Sequence, residues 1–173
     1  MNRSKYLKKK IGYNPIFFSY PFGEYSLEHE KFVASKFEFA FGQHSGVMDL
    51  NKNKYELPRF PINEKYGDLK RFQNIINYLP LQYKSVSPRD KLINDSNNPP
   101  KLVIEFFAEQ KNLENITCYS NEGNEWRLSD INLENNFLKV NFFEKFNFRR
   151  GRINCSLNDK EGWRFFGIQF SIN

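Results

Sequence analysis

The sequence has no long apolar run and no apolar export segment near its N-terminus. A stretch of about 18 apolar residues, the length that a membrane-spanning helix needs, does not occur. The basic start passes into Ile11-Gly12-Tyr13-Asn14-Pro15, which is too short and too polar for the centre of a signal peptide. We therefore expect no transmembrane segment and no export signal in this chain.

Motifs for two common functions are also missing. No G-x-S-x-G element is present, so the pair His44-Ser45 does not indicate a serine hydrolase. The net charge of +6 is compatible with nucleic acid, but basic and acidic residues are interspersed outside residues 5–10. Because no nucleic-acid-reading motif accompanies the charge, we predict no nucleic-acid partner.

What the chain does contain is ample material for a core. Its 173 residues are 39% hydrophobic and 17% aromatic, which is enough for one ordinary domain or two small ones. The two halves of the chain differ in pattern, so we treat them separately.

Strand-like apolar runs that end in turn residues dominate the first half. The run at 16–25 stops at Pro21 and Gly23, and similar arrangements follow at 37–46 and 56–63. Ser26 is a suitable N-cap for a helix over 27–36. Asp68 precedes a helical stripe that ends at Pro80 and consists of Leu69, Phe72, Ile75, Ile76 and Leu79. This repetition of strands and helices predicts part of a (β/α) barrel over residues 1–81.

The second half has a different period. Residues 82–100 lose periodicity and gather Ser, Asn, Asp and Pro, which predicts a linker. Beyond it, apolar residues alternate at 102–107, 116–119, 138–142, 153–157 and 166–172. Short strands without a helical pattern predict a small antiparallel β-sandwich over 101–173. The expected fold class is therefore α/β plus all-β.

The two cysteines leave two alternatives open. Cys118 shares a strand face with Ile116, and Cys155 shares one with Ile153 and Leu157, so both side chains are expected to point into the sandwich. They form either a disulfide or two separate buried thiols that act as small hydrophobic groups. A disulfide would indicate an oxidising compartment.

Three segments together resemble the C-terminal part of polysaccharide deacetylases with a NodB-type domain, which belong to carbohydrate esterase family four. These segments are 18–25 (FSYPFGEY), 39–47 (FAFGQHSGV) and 57–67 (LPRFPINEKYG). More weakly, 152–156 (RINCS) and Gly162-Trp163 look like the closing strands of the β-rich segment that follows this domain in some members. The resemblance implies a partial (β/α) barrel of NodB type and the hydrolysis of N-acetyl groups on N-acetylglucosamine-type polymers.

The resemblance also implies a divalent metal, zinc, held by an Asp and two His, and a further Asp as general base. In the family these groups precede the Pro-aromatic-Gly segment, whereas this chain has neither motif and its His29 and His44 do not match the spacing. We therefore expect no metal ligands in this chain and an enzyme that is incomplete alone, either truncated or split. If the enzyme is split, a separately encoded N-terminal barrel half is the expected partner.

The site residues that the resemblance implies lie at the ends of the predicted strands. The backbone N–H of Phe22 would face the developing oxyanion, and Pro21 and Gly23 would fix the backbone that aims it. The other expected substrate-binding residues are Tyr20, Gln43, Arg59 and Asn63. For Arg59 and Asn63, an ion-pairing or capping role is an equal alternative.

A second function remains open, namely a non-catalytic carbohydrate-binding or surface module. Trp126 and Trp163 would supply its aromatic platforms, although such residues more often fill or border a core. Both functions imply a polysaccharide or oligosaccharide partner. The substrate and the cysteine pair together favour the periplasm or cell envelope.

Overall fold

The computed structural model describes residues 3–147 and 149–173, which form three sheets and three α-helices. The helices are α1 (Arg3–Ile11), α2 (Leu27–Ala34) and α3 (Leu69–Ile75). The strands are β1 (Phe17–Ser19), β2 (Phe39–Phe41), β3 (Leu79–Pro80), β4 (Ser85–Ser87), β5 (Leu92–Ile93), β6 (Leu102–Glu105), β7 (Thr117–Ser120), β8 (Arg127–Leu128), β9 (Asp130–Glu134), β10 (Phe137–Asn141), β11 (Arg150–Asp159) and β12 (Gly162–Ile172). None of the described helices is long and apolar enough to cross a membrane.

The N-terminal part is a small parallel unit in which α2 connects β1 to β2. The two strands pair with Phe17 opposite Phe39. Ser26 caps α2 as predicted, because its Oγ accepts a hydrogen bond from His29 N at 3.2 Å. A small buried cluster lies between this sheet and α2, and it consists of Tyr20, Tyr25, Val33 and Ala40.

The predicted partial (β/α) barrel of NodB type is wrong. The parallel sheet has two strands, and the described chain is mostly β-sheet with no closed barrel. Residues 56–63, predicted as the third strand-like run, contribute an isolated parallel bridge between Leu57 and Phe41. Pro58 and Pro61 lack the N–H that a ladder strand donates, which explains why this segment stops at a bridge.

Most of the core lies between two larger sheets. One has the order β4-β6-β10-β9, and the other has the order β3-β12-β11-β7-β8 with β5 also paired to β12. Alternation along β10 and β11 directs every second side chain inward. The shared core includes Ile104 and Leu138 from the smaller of these sheets and Ile153 and Phe170 from the larger.

The segment around α3 departs from its prediction. Asp68 caps the helix as predicted, since its Oδ1 accepts a hydrogen bond from Arg71 N at 2.8 Å. The helix ends at Ile75, however, and none of its seven residues, all of which are described, is buried. Leu79 and Pro80 instead pair with β12 as β3. The helix is therefore shorter than the predicted stripe of apolar residues, and this stripe does not form part of a buried core.

Residues 82–100, predicted as a linker, contribute two strands. β4 pairs antiparallel with β6, and β5 pairs in parallel with the end of β12. The segment is thus hydrogen-bonded to both large sheets. The division of the chain into 1–81, 82–100 and 101–173 stays a prediction.

The two cysteines form a disulfide. Cys118 of β7 lies directly opposite Cys155 of β11, with their Cα atoms 4.0 Å apart. Both residues are fully buried in the core between the large sheets. Of the two alternatives left by the sequence, the structure has the bridge.

Strand β12 is buried on both of its faces from Phe166 onward. Its inner face enters the sandwich core, while its outer face is covered by the N-terminal unit, so that residues 166–172 are all buried. A Cβ on Gly167 would collide with the carbonyl oxygen of Ser45. Two residues further on, Gln169 Nε2 donates to Phe22 O at 3.1 Å and to Gly23 O at 3.0 Å. The N-terminal unit is thereby fixed to the sandwich.

We predict that Gly167→Ala destabilises the protein by about 1–3 kcal/mol, because the added methyl group overpacks the contact with Ser45. Chemical denaturation followed by circular dichroism measures the change. Ser156→Ala, on the same face of the neighbouring strand β11, serves as the control and is expected to cost less. Equal stability of Gly167→Ala and the unmodified protein would show that this contact is loose.

We predict that replacing both cysteines by alanine lowers the free energy of unfolding by about 4 kcal/mol. This figure follows from the 37-residue separation of the bridged cysteines and the loop entropy that the bridge removes from the unfolded chain. Denaturation curves of the double variant and of the oxidised protein give the difference. A double variant as stable as the oxidised protein would contradict the prediction.

Candidate functional site

The Pro21–Gly23 turn, which carries the first of the predicted site residues, has an unusual backbone. Phe22 has φ 57° and Gly23 has φ 70°, and both values lie in the left-handed region. Gly23 N donates to Tyr20 O at 2.9 Å, and Glu24 N donates to Pro21 O at 3.1 Å. A non-glycine residue in this region costs about 1 kcal/mol or more, so Phe22 needs support from its surroundings.

Two contacts supply that support. Gln169 binds the carbonyl groups of Phe22 and Gly23 from the sandwich side. A Cβ built on Gly23 would lie 2.6 Å from Gln43 N, so the turn approaches the neighbouring loop more closely than any side chain permits. Glycine at 23 is therefore required both by its φ and by its packing.

The three segments that carried the resemblance meet at one edge of the parallel unit. Tyr20 N donates to Phe41 O at 3.0 Å, and Gly42 N donates to Leu57 O at 2.9 Å. Arg59 N donates to His44 O at 3.0 Å, and its Nε donates to Gly42 O at 3.3 Å. Because β1, β2 and the Leu57 bridge run in parallel, their carboxyl ends lie side by side. Pro21, Phe22, Gly23, Gln43 and Arg59 are thus brought together.

Two of the predicted residues have mainly structural surroundings. Tyr20 is 4% exposed and its ring stacks on Tyr25 at a centroid distance of 4.4 Å. Asn63 Oδ1 accepts hydrogen bonds from Lys65 N at 3.1 Å and Tyr66 N at 3.0 Å, which is a local capping role. Substrate contact by either residue stays a prediction.

Phe22 presents its ring to solvent while its backbone is fixed. The ring is 56% exposed, and the guanidinium carbon of Arg150 lies 5.6 Å from the ring centroid. Tyr20, Pro21 and Phe22 also line an apolar cavity of about 520 Å³ next to α2. The role of the Phe22 N–H as an oxyanion donor stays a prediction.

A larger cleft lies between residues 46–58, residues 80–91 and β12. Its volume is about 600 Å³, within the range of small-molecule sites, roughly 300–1,000 Å³. The seven predicted site residues all fall within the described range 3–147, and none of them lines this cleft. Its charged lining comes instead from Asp49, Lys52, Glu56, Lys84, Arg89 and Lys91.

Arg89 joins two largely buried carboxylates at one end of the cleft. Its Nη2 lies 2.9 Å from Glu30 Oε1, and its Nη1 lies 3.2 Å from Glu56 Oε1. Tyr25 OH donates to the other oxygen of Glu56 at 3.0 Å. Burial raises the pKa of the Glu30 carboxyl, and the neighbouring Glu56 adds to the rise. The pKa of Tyr25 is also raised by burial and by Glu56, so its phenol remains a donor.

Lys91 and His44 complete this group of ionisable side chains. Lys91 is 4% exposed and donates to Pro88 O at 2.8 Å, and burial lowers the pKa of its ammonium group. His44 is also buried, and burial lowers the pKa of its imidazole to about 4. His44 is therefore neutral near pH 7.

The described residues do not fit the divalent metal that the resemblance implies. Within 3–147 and 149–173, no three or more His, Cys, Asp or Glu side chains are grouped so that they could hold a metal ion. His29 is exposed on α2, whereas His44 is buried in the loop after β2. We therefore derive no chemical step through a metal on this chain.

The residues that form the charged end of the cleft were not among the predicted site residues. Glu30 lay within the predicted helix over 27–36, Glu56 lay within a predicted strand, and Arg89 and Lys91 lay within the predicted linker. The sequence signal was the tripeptide Arg89-Asp90-Lys91, three consecutive charged residues within the predicted linker.

Comparison with known proteins gives no match to this chain among protein-family models, curated proteins or solved structures.

We predict that His44 makes stability depend on pH below neutrality. The folded pKa of about 4 lies below the ordinary value of 6.5, so as pH falls the unfolded chain takes up a proton before the folded protein does. Between about pH 6.5 and 4 the unmodified protein should lose roughly 3 kcal/mol relative to His44→Gln.

Denaturant unfolding of both proteins across pH 7 to 4 measures this difference. Glu30, whose raised pKa affects stability in the opposite direction, is present in both proteins, so its contribution cancels. His29→Gln, at the exposed histidine, is the matched control and should follow the unmodified protein. A constant difference between His44→Gln and the unmodified protein over this range would contradict the assignment.

Proposed function

We propose that this chain is the C-terminal portion of a metal-dependent polysaccharide deacetylase, and that the metal-binding residues belong to another polypeptide. The reaction is the hydrolysis of N-acetyl groups on N-acetylglucosamine-type polymers. The observation that carries the proposal is the meeting of segments 18–25, 39–47 and 57–67 at one edge of the parallel unit. These segments carried the resemblance and are separated along the chain by residues 26–38 and 48–56.

The contribution of this chain would be electrostatic. Amide hydrolysis passes through a tetrahedral intermediate that carries an oxyanion, and a backbone N–H held in place stabilises it. In this proposal the donor is Phe22, whose left-handed backbone is held by Gln169. Loss of one such donor typically costs about 3–4 kcal/mol of transition-state stabilisation.

A partly exposed aromatic face of the parallel unit supports the involvement of a partner. Phe17 is 58% exposed and lies against Phe39 and Phe41, at centroid distances of 5.7 and 6.0 Å, on the sheet face opposite α2. Parallel sheets are usually covered on both faces. A polypeptide that carries the metal ligands would cover this face in the proposed enzyme.

The Cys118–Cys155 bridge supports a location in the periplasm or cell envelope, because disulfides persist in oxidising compartments. This location would also give access to the proposed polymer substrate.

The second candidate function is a non-catalytic carbohydrate-binding module. Its supporting observation is that Trp126 and Trp163 are each about half exposed. On β11, Trp163 lies opposite Asn158. Arg127, the neighbour of Trp126, pairs with Ser120, which in turn pairs with Ile153 of β11. The five-residue offset corresponds to about 17 Å along the strands, so the two rings would act as separate platforms.

We predict that the tagged chain, expressed in its native cell, is recovered in a complex that releases acetate from an N-acetylglucosamine pentamer. Gln169→Leu should lower kcat by about tenfold or more, because the Phe22 turn loses its support. Gln73→Leu, on the exposed helix α3, is the matched control and should leave kcat unchanged.

Deacetylation by the purified chain alone, with zinc bound stoichiometrically by its own side chains, would overturn the divided arrangement. A complex without acetate release would overturn the deacetylase proposal itself. If that complex were retained on insoluble chitin, and the Trp126→Ala or Trp163→Ala substitution abolished its retention, the carbohydrate-binding module would replace the deacetylase as the proposed function.

A further inference from the structure

The large cleft contains a buried ammonium group, that of Lys91, whose hydrogen-bonding capacity the protein uses only in part. Lys91 Nζ carries three N–H donors, and the Pro88 carbonyl at 2.8 Å is its one hydrogen-bond partner among the residues that the structure describes. No carboxylate within the described chain forms an ion pair with it. Because an unpaired buried cation is costly, the position calls for a ligand with oxygen acceptors.

A fixed acceptor lies on the same cleft. The Glu56 carboxylate is held by Arg89 and by Tyr25 through one hydrogen bond to each oxygen. A carboxylate has about four acceptor positions, so the two contacts leave capacity for donors from a ligand. Its side chain is 18% exposed and borders the cleft.

The charges around these two groups favour a neutral ligand. Glu30, Glu56, Arg89 and Lys91 together carry two formal negative and two formal positive charges. A ligand with a net charge of either sign would unbalance this partly buried group. A ligand whose hydroxyl groups both donate and accept would satisfy Lys91 and Glu56 without adding charge.

The remaining lining gives the cleft an apolar wall. Leu57, Pro58 and Leu81 border it, and so do the rings of Phe107 and Phe165. Sugar rings present apolar C–H faces beside their hydroxyl groups, so this combination of an apolar wall with a donor and an acceptor suits them. The volume of about 600 Å³ suits a ligand of more than one sugar ring.

We propose that this cleft binds a neutral saccharide, whose hydroxyl groups accept a hydrogen bond from Lys91 and donate one to Glu56. The site is separate from the turn at Phe22. No residue of the Phe22 turn takes part in this site, so the site does not depend on the proposed deacetylase activity.

The test is isothermal titration of the purified chain with the trimer of N-acetylglucosamine. Lys91→Met removes the ammonium group and keeps the side-chain length, and it should weaken binding by about tenfold or more. Asn51→Trp should weaken it similarly by filling the cleft, because Asn51 is an exposed residue of the lining. Lys139→Met, at an exposed ion pair on β10, is the control and should bind like the unmodified protein.

Circular dichroism melting of each variant separates lost binding from lost folding. Asn51→Trp decides the test if Lys91→Met does not fold. No saturable binding of the neutral trimer at millimolar concentration, or unchanged binding by folded Asn51→Trp, would overturn the proposal. Tighter binding of a galacturonate trimer or a glucosamine trimer would overturn the neutral-ligand claim. Acetate release is not measured, so failure here is distinguishable from failure of the proposed enzyme.

Discussion

The burial of β12 on both faces is the constraint on which the rest of the molecule depends. Its inner side chains join the disulfide-bridged core, and its outer face meets the N-terminal unit at Gly167 and Gln169. Gly167 permits the loop after β2 to approach the sheet, and Gln169 holds the turn at Phe22 by two hydrogen bonds. The geometry of the candidate catalytic turn is thus set by a strand almost 150 residues further along the chain.

A second connection joins the two parts through charge. Arg89, from the segment between β4 and β5, contacts Glu30 of α2 and Glu56 beside the Leu57 bridge. Removing this guanidinium would leave two largely buried carboxylates without a counter-ion, which is among the more costly changes in a protein interior. The large cleft is bordered by this cluster, so its shape follows from the same contacts.

Local features of the fold were predictable from the sequence because local rules govern them. The predicted caps at Ser26 and Asp68 were confirmed. Each side chain accepts a hydrogen bond from a backbone N–H only three residues later, so the residue type before the helical pattern was enough to predict the cap. The alternation that forms β10 and β11 was visible for the same reason.

The rest depends on distant pairing. The strands β3 and β5 are two residues long and exist because β12 lies beside them, and α3 has an apolar stripe that the fold leaves uncovered. The partial barrel was predicted from repeated strand-and-loop patterns, but the third repeat forms an isolated bridge. Glu56, Arg89 and Lys91 each resemble surface charges in sequence, and only the fold gathers them.

Amide hydrogen exchange in the Gln169→Leu variant tests most directly whether β12 holds the candidate turn. We expect the amides of Gly23 and Glu24 to exchange faster than in the unmodified protein, while the paired amides of Leu138 and Val140 in β10 stay protected. Unchanged protection at Gly23 and Glu24 would contradict it, because the turn would then be stable without the strand.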